Sequence, residues 1–145
     1  MKKQLIYGTT VIILGLLAAL GPQFLFKVCG AHEGIFALCH WTAQAEIGMG
    51  MLVAALGLCY ITFSDPKTQL GIIVSIFLTG IIVIGFPHAL IGGCSVKTMP
   101  CRQIAFPALT VEAAIIIVYS IIMAVYEIKK ASAAEAAVQA DTQKQ

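Results

Sequence analysis

Four long apolar stretches constrain this chain more than any other feature. A membrane-spanning helix needs about 20 mostly apolar residues. Residues 5–26 carry no charge, and residues 47–63 are short but uncharged. Residues 70–91 hold one histidine, His88, and residues 106–126 hold one acid, Glu112. Lipid offers the backbone no hydrogen bonds, so such spans must be helices or closed-barrel strands. The stretches lack the apolar/polar alternation of barrel strands. Charged residues make up only 11% of the chain, against roughly 25% in soluble proteins. A net charge of +2 leaves no basic footprint for nucleic acid. The expected fold is therefore all-α: an integral membrane antiparallel four-helix bundle in the lipid bilayer.

The expected organisation is a four-helix transmembrane domain over residues 1–130 and a polar cytoplasmic tail over 131–145. The tail extends the fourth helix and then frays. Residues 64–69 form a tight turn, since Asp65 and Pro66 suit turn positions. Lys2, Lys3, Lys67, Lys129, Lys130 and Lys144 fall on one side, and Lys27, Lys97 and Arg102 on the other. The positive-inside rule then places this protein in the cell membrane with both termini cytoplasmic. Residues 27–46 and 92–105 become extracytoplasmic loops. The start of the chain also resembles a signal peptide, but its apolar run exceeds the usual 7–15 residues. A retained first helix is the expectation. Gly15 with Ala19, and Gly50 with Ala54, are small-residue pairs suited to close helix packing. Gly8 with Gly15, and Gly50 with Gly57, keep one helix face each.

The cysteines carry the main chemical signal. Cys59 lies inside a span, where a small apolar residue is ordinary. Cys29 and Cys39 fall in the first outer loop, Cys94 and Cys101 in the second. Four cysteines allow three pairings, and spacing does not choose among them. An oxidising outer compartment favours structural disulfides, each worth about 2–3 kcal/mol if formed within its loop. Pro22 precedes Cys29 and Pro87 precedes Cys94 by the same interval, a thin sign of a parallel repeat.

Polar residues gather near the outer edge. Glu112 lies about 9 Å inside its helix at 1.5 Å per residue, where an ionisable group is a functional candidate. Its expected partners are His88, Arg102, Gln23 or Gln44. With Glu46 these define a membrane-edge cluster of Glu46, His88, Arg102 and Glu112. The bland counterpart is a hydrogen bond or ion pair closing the bundle's outer end. Pro87 removes one backbone donor and kinks the third span. Cys29, His32, Cys39 and His40 form the nearest soft-metal set, for copper or zinc. It lacks Cys-x-x-Cys spacing, and disulfides would consume its thiols. Trp41 suits an interface anchor.

The run from Phe26 to Gly30, the segment Cys39-His40-Trp41 through Glu46, and the element Cys94 to Met99-Pro100-Cys101 together resemble a small prokaryotic membrane family, domain of unknown function 4418. The resemblance spans residues 5–128. It implies four membrane helices and association with export-type ABC transporters. It supplies no activity. By architecture alone, the chain also resembles quinone-dependent disulfide-generating membrane proteins, but its first cysteine pair lacks their Cys-x-x-Cys.

Three functions follow as expectations. The first is a non-enzymatic accessory or binding subunit of a larger membrane assembly, with an ABC-transporter permease or a second copy of itself as partner. Its outer cap is stapled by Cys29, Cys39, Cys94 and Cys101. The second is a thiol–disulfide oxidoreductase that uses the same four cysteines and a quinone. The third is a copper- or zinc-handling protein. The chain contains no phosphate-binding loop, so it does not power transport itself.

Overall fold

A computed structural model describes residues 2–24, 38–90 and 101–142. The described chain is all-α. Helix α1 spans Lys2–Phe24, α2 Leu38–Thr62, α3 Pro66–Gly85 and α4 Phe106–Thr142. Two π-helical turns, Phe86–Leu90 and Cys101–Ala105, extend α3 and lead into α4. All four helices are long and apolar enough to cross a membrane. Their outward faces are apolar too: Leu17, Leu52, Leu78 and Ile122 are all exposed. A bundle with an apolar exterior is stable only in lipid, so the fold defines a multi-pass membrane protein.

Each helix turns one narrow seam inward. In α2 the buried residues of this seam are Ala43, Glu46, Gly50, Val53, Gly57 and Tyr60, with Thr42 buried beside it. In α4 they are Phe106, Leu109, Ala113, Ile116, Ser120, Met123 and Glu127. Both follow alternating steps of three and four, as do Gly8, Val11, Gly15 and Ala18 in α1. That repeat averages 3.5 residues and is the signature of left-handed knobs-into-holes packing. The centre is filled by Val11, Val53, Tyr60, Ile73, Ile76, Ile116 and Met123.

The α1–α2 contact is the closest in the bundle, and glycine makes it so. A methyl group added to Gly15 would meet the Ala54 amide nitrogen at 2.5 Å and the Gly50 carbonyl at 2.7 Å. One added to Gly50 would run into the Ala19 backbone. The backbones therefore touch here with no room for a side chain, as small-residue interfaces in lipid do. Gly8 meets Ile61 at one end of this seam, while Ala19 meets Gly50 toward the other.

The short turn between α2 and α3 has a clear local cause. Asp65 is extended and accepts hydrogen bonds from the Thr68 amide at 3.0 Å and the Thr68 hydroxyl at 2.9 Å. Pro66 then occupies the first helical position, where no N–H is needed. The Thr68 groups hold the Asp65 carboxyl below the usual aspartate range.

Three boundaries differ from the sequence expectation. Helix α2 begins at Leu38 rather than near residue 47, and no proline or glycine interrupts residues 38–47. The segment expected as the second loop, residues 92–105, is helical from Cys101. Pro87 widens the end of α3 into a π turn, since its nitrogen offers no hydrogen to the preceding turn. The tail does extend α4, which runs to Thr142.

Candidate functional site

Polar side chains on the inward seams collect in two layers near opposite ends of the bundle. Along α2 the step from Glu46 to Tyr60 is about 21 Å at 1.5 Å per residue. Both layers thus fit within a hydrocarbon core of about 30 Å. Remaining hydroxyls are disposed of locally. Thr10, Ser75, Thr79 and Thr110 each donate to a backbone carbonyl one turn back.

The layer at the α2–α3 turn is a hydrogen-bonded clasp. The Tyr60 hydroxyl donates to Glu127 Oε1 at 2.7 Å, in a buried contact between α2 and α4. Lys130 Nζ donates to Glu127 Oε2 at 3.1 Å and remains 44% exposed. Its stem lies along the helix while its ammonium reaches out, the usual compromise for lysine at a membrane edge. Gln4 Nε2 stands 2.9 Å from the Tyr60 carbonyl and 3.1 Å from that of Phe63. Gln69 Nε2 adds a bond to the Phe63 carbonyl at 2.9 Å. These amides satisfy carbonyls that the end of α2 leaves open. Tyr7 packs against Tyr126 with ring centroids 5.2 Å apart, and Lys3 lies 5.7 Å from the Tyr126 centroid. Gln69 Oε1 is buried with no partner among the described residues.

The opposite layer is built differently. Glu46 is completely buried, and neither of its carboxyl oxygens has a hydrogen-bond partner among the described residues. Glu112 on α4 stands at the same end of the bundle, since Gly50, one turn from Glu46, packs on Ala19 while Glu112 lines a groove with Leu17 and Gly21. Thr42, one turn before Glu46, is also buried. Glu112 lines a groove of about 480 Å³ between α1 and α4, walled by Leu14, Leu17, Gly21, Val111 and Ile115. An unpaired carboxyl out of water is costly unless it is neutralised or paired. The acid layer has the larger unmet bonding capacity among the described residues, both Glu46 oxygens against the single Gln69 Oε1 of the clasp.

The sequence-expected residues fare unequally. Glu46 and Glu112 fall at the same end of the bundle. His88 is exposed, and its Nδ1 lies 3.0 Å from the Ile84 carbonyl of its own helix, which requires the Nδ1–H tautomer. Gln44 is exposed rather than turned to Glu112. Arg102 lies in the π turn before α4, but its side chain is outside the described residues, as is that of Gln23. Cys29, His32 and Cys94 also lie outside them; Cys39 and Cys101 are placed only as backbone. His40 packs edge-on to Trp41 at 6.2 Å between centroids, and Trp41 is exposed on the first turn of α2. Among the described residues no three His, Cys, Asp or Glu side chains converge as metal ligands. Cys59 is a free thiol within α2.

The expectation of a single intramembrane acid fails. The apolar span of α2 runs His40–Thr62 and includes Glu46, and that of α4 runs Gln103–Ala133 and includes Glu127. A signal for both was present in the glycine register. Four residues back from Gly50 is Glu46, and three on from Gly57 is Tyr60, the partner of Glu127.

These features define a small multi-pass membrane protein with two acids near one end, of which Glu46 has no hydrogen-bond partner among the described residues. The sequence profile of the family described as Domain of unknown function (DUF4418) matches residues 11–126, and the chain belongs to that family. No curated protein and no solved structure matches the chain.

Proposed function

We propose that this protein is a non-enzymatic accessory subunit of a larger membrane assembly, of the ABC-transporter type. In this reading the four helices form an antiparallel bundle. Both termini are cytoplasmic, and Cys29, Cys39, Cys94 and Cys101 staple an extracytoplasmic cap. The observation that carries the reading is the closed centre. Val11, Leu14, Val53, Ile76, Ile116 and Tyr119 surround a gap too small for a water molecule. A bundle plugged in this way supports packing against a partner better than conduction through itself. The lysines at the clasp end support the orientation by the positive-inside rule.

The test combines assembly state with thiol state. The tagged chain is expressed at native level and extracted in mild detergent, and the mass of the intact particle is measured. A stoichiometric complex with a transporter permease is expected, with both cysteine pairs oxidised across growth conditions. A lone protein whose loop cysteines shift between oxidised and reduced forms with respiratory state overturns the reading. That result would favour the quinone-linked oxidoreductase instead.

A further inference from the structure

The acid pair and the groove beside it belong to one feature. Of the neighbouring helix pairs, α1 and α4 make the least extensive contact, and the groove opens between them. Its walls are aliphatic, and Glu112 is the one polar side chain among its described lining. The apolar wall continues along α4 past Val118 to Ile122. From Glu112 to Ile122 is about 15 Å at 1.5 Å per residue. Glu46, at the same end of the bundle, is fully buried, with both oxygens unpartnered among the described residues. A volume of about 480 Å³ falls within the roughly 300–1,000 Å³ of small-ligand sites.

Electrostatics then selects the occupant. Two carboxyls at low dielectric, with no cation beside them among the described residues, leave an electrostatic deficit that an incoming positive charge removes. An alcohol of the same shape gains one ordinary hydrogen bond, and an anion is repelled. The elongated aliphatic wall suits a single hydrocarbon chain. We infer that the α1–α4 groove binds a single-chain amphiphilic amine, its ammonium on Glu112 and within the field of Glu46, its chain along Val111, Ile115 and Ile122. This inference stands apart from the accessory-subunit reading and needs no protein partner.

The experiment uses the full-length protein in phosphatidylcholine nanodiscs. Two photoreactive probes are compared, a diazirine-bearing dodecylammonium and the matching dodecanol, with labelled positions mapped by mass spectrometry. Labelling of α1 near Leu17 and of α4 between Val111 and Ile122 is expected. The amine should label more than the alcohol by about tenfold or more, the ratio a charge-assisted hydrogen bond supplies. In E112Q, amine labelling should fall to the level of the alcohol while alcohol labelling holds. V118W, which narrows the exposed wall without touching the acids, should reduce both and guards against misfolding of E112Q. Equal labelling by the two probes overturns the inference, because the groove is then only lipid contact. So does wild-type protein without amine preference that gains it in R102A, which would show the pair already neutralised by Arg102. Exclusion of both probes by a dimer cross-linked through α4 also overturns it, with a second copy as the occupant.

Discussion

Single residues in this bundle differ most in whether their polar atoms find partners. Tyr60 and Glu127 satisfy one another across α2 and α4. Tyr60→Phe leaves Glu127 Oε1 without its donor and should cost about 1–3 kcal/mol. Unfolding titrations in detergent measure this, and a double-mutant cycle with Glu127→Gln should show coupling between the two sites. Glu46 is the opposite case. Its carboxyl occupies a seam position yet has no partner among the described residues. Glu46→Met should therefore stabilise the protein, by about 1–3 kcal/mol, in the same titration. A loss of stability would mean that the carboxyl is held by a bond the fold needs. Asp65 sits outside the membrane, and Thr68 lowers its folded pKa. Its contribution is present above the ordinary aspartate pKa of about 4 and is lost as pH falls through the lower folded value. Asp65→Ala should reduce thermal stability at neutral pH, and the difference from wild type should vanish in acid. Asp65→Asn should retain most of the cap.

At the scale of elements, the α1–α2 pair is set by backbone contact. Gly15 and Gly50 face one another with no space for a methyl group, whereas Gly48 looks into open space on the outer face of α2. Gly15→Val should force the helices apart and cost about 1–3 kcal/mol. Gly48→Ala, only two residues from Gly50, should be neutral or slightly stabilising because alanine favours helix by about 1 kcal/mol. Thermal unfolding of both variants in one detergent checks the pair. The contrast is legible in part from the residues: Gly15 with Ala19 and Gly50 with Ala54 announce a packing face. They do not say which helix fills it. The start of α2 was not legible, because Thr42, Gln44 and Glu46 look like loop residues until the buried seam claims Thr42 and Glu46.

Across the whole molecule, polar and apolar layers alternate along the bundle axis. A closed apolar centre lies between the Tyr60–Glu127 clasp and the Glu46–Glu112 pair. If the cysteine segments are extracytoplasmic, an impermeant thiol reagent applied to intact cells after reduction should label Cys29, Cys39, Cys94 and Cys101 and spare Cys59. Labelling only in opened cells would reverse the orientation. The sequence made the clasp hard to see for a reason that applies to any bundle in lipid. When lipid-facing residues are as apolar as core residues, hydrophobic periodicity no longer separates inside from outside. Glu127 sits one residue past the apolar run and passes for a membrane-edge charge. Only the neighbouring Tyr60 and Lys130 show it to be buried and paired.

Helix number, membrane placement and the α2–α3 turn follow from sequence alone, because segment length, hydropathy and the Asp65-Pro66 cap are local properties. The small-residue seam of α1 and α2 is nearly as local, since it repeats at fixed spacing. Which polar residues meet was decided by tertiary structure. Tyr60 finds Glu127 because α2 and α4 turn those positions inward, whereas Glu46 is buried on α2 and Glu112 borders the α1–α4 groove at the same end of the bundle. His88 and Gln44, equally plausible by sequence, turn to their own helix or outward. Rotation of a helix about its axis costs little in a uniformly apolar segment, so the close packing of neighbouring backbones fixes it.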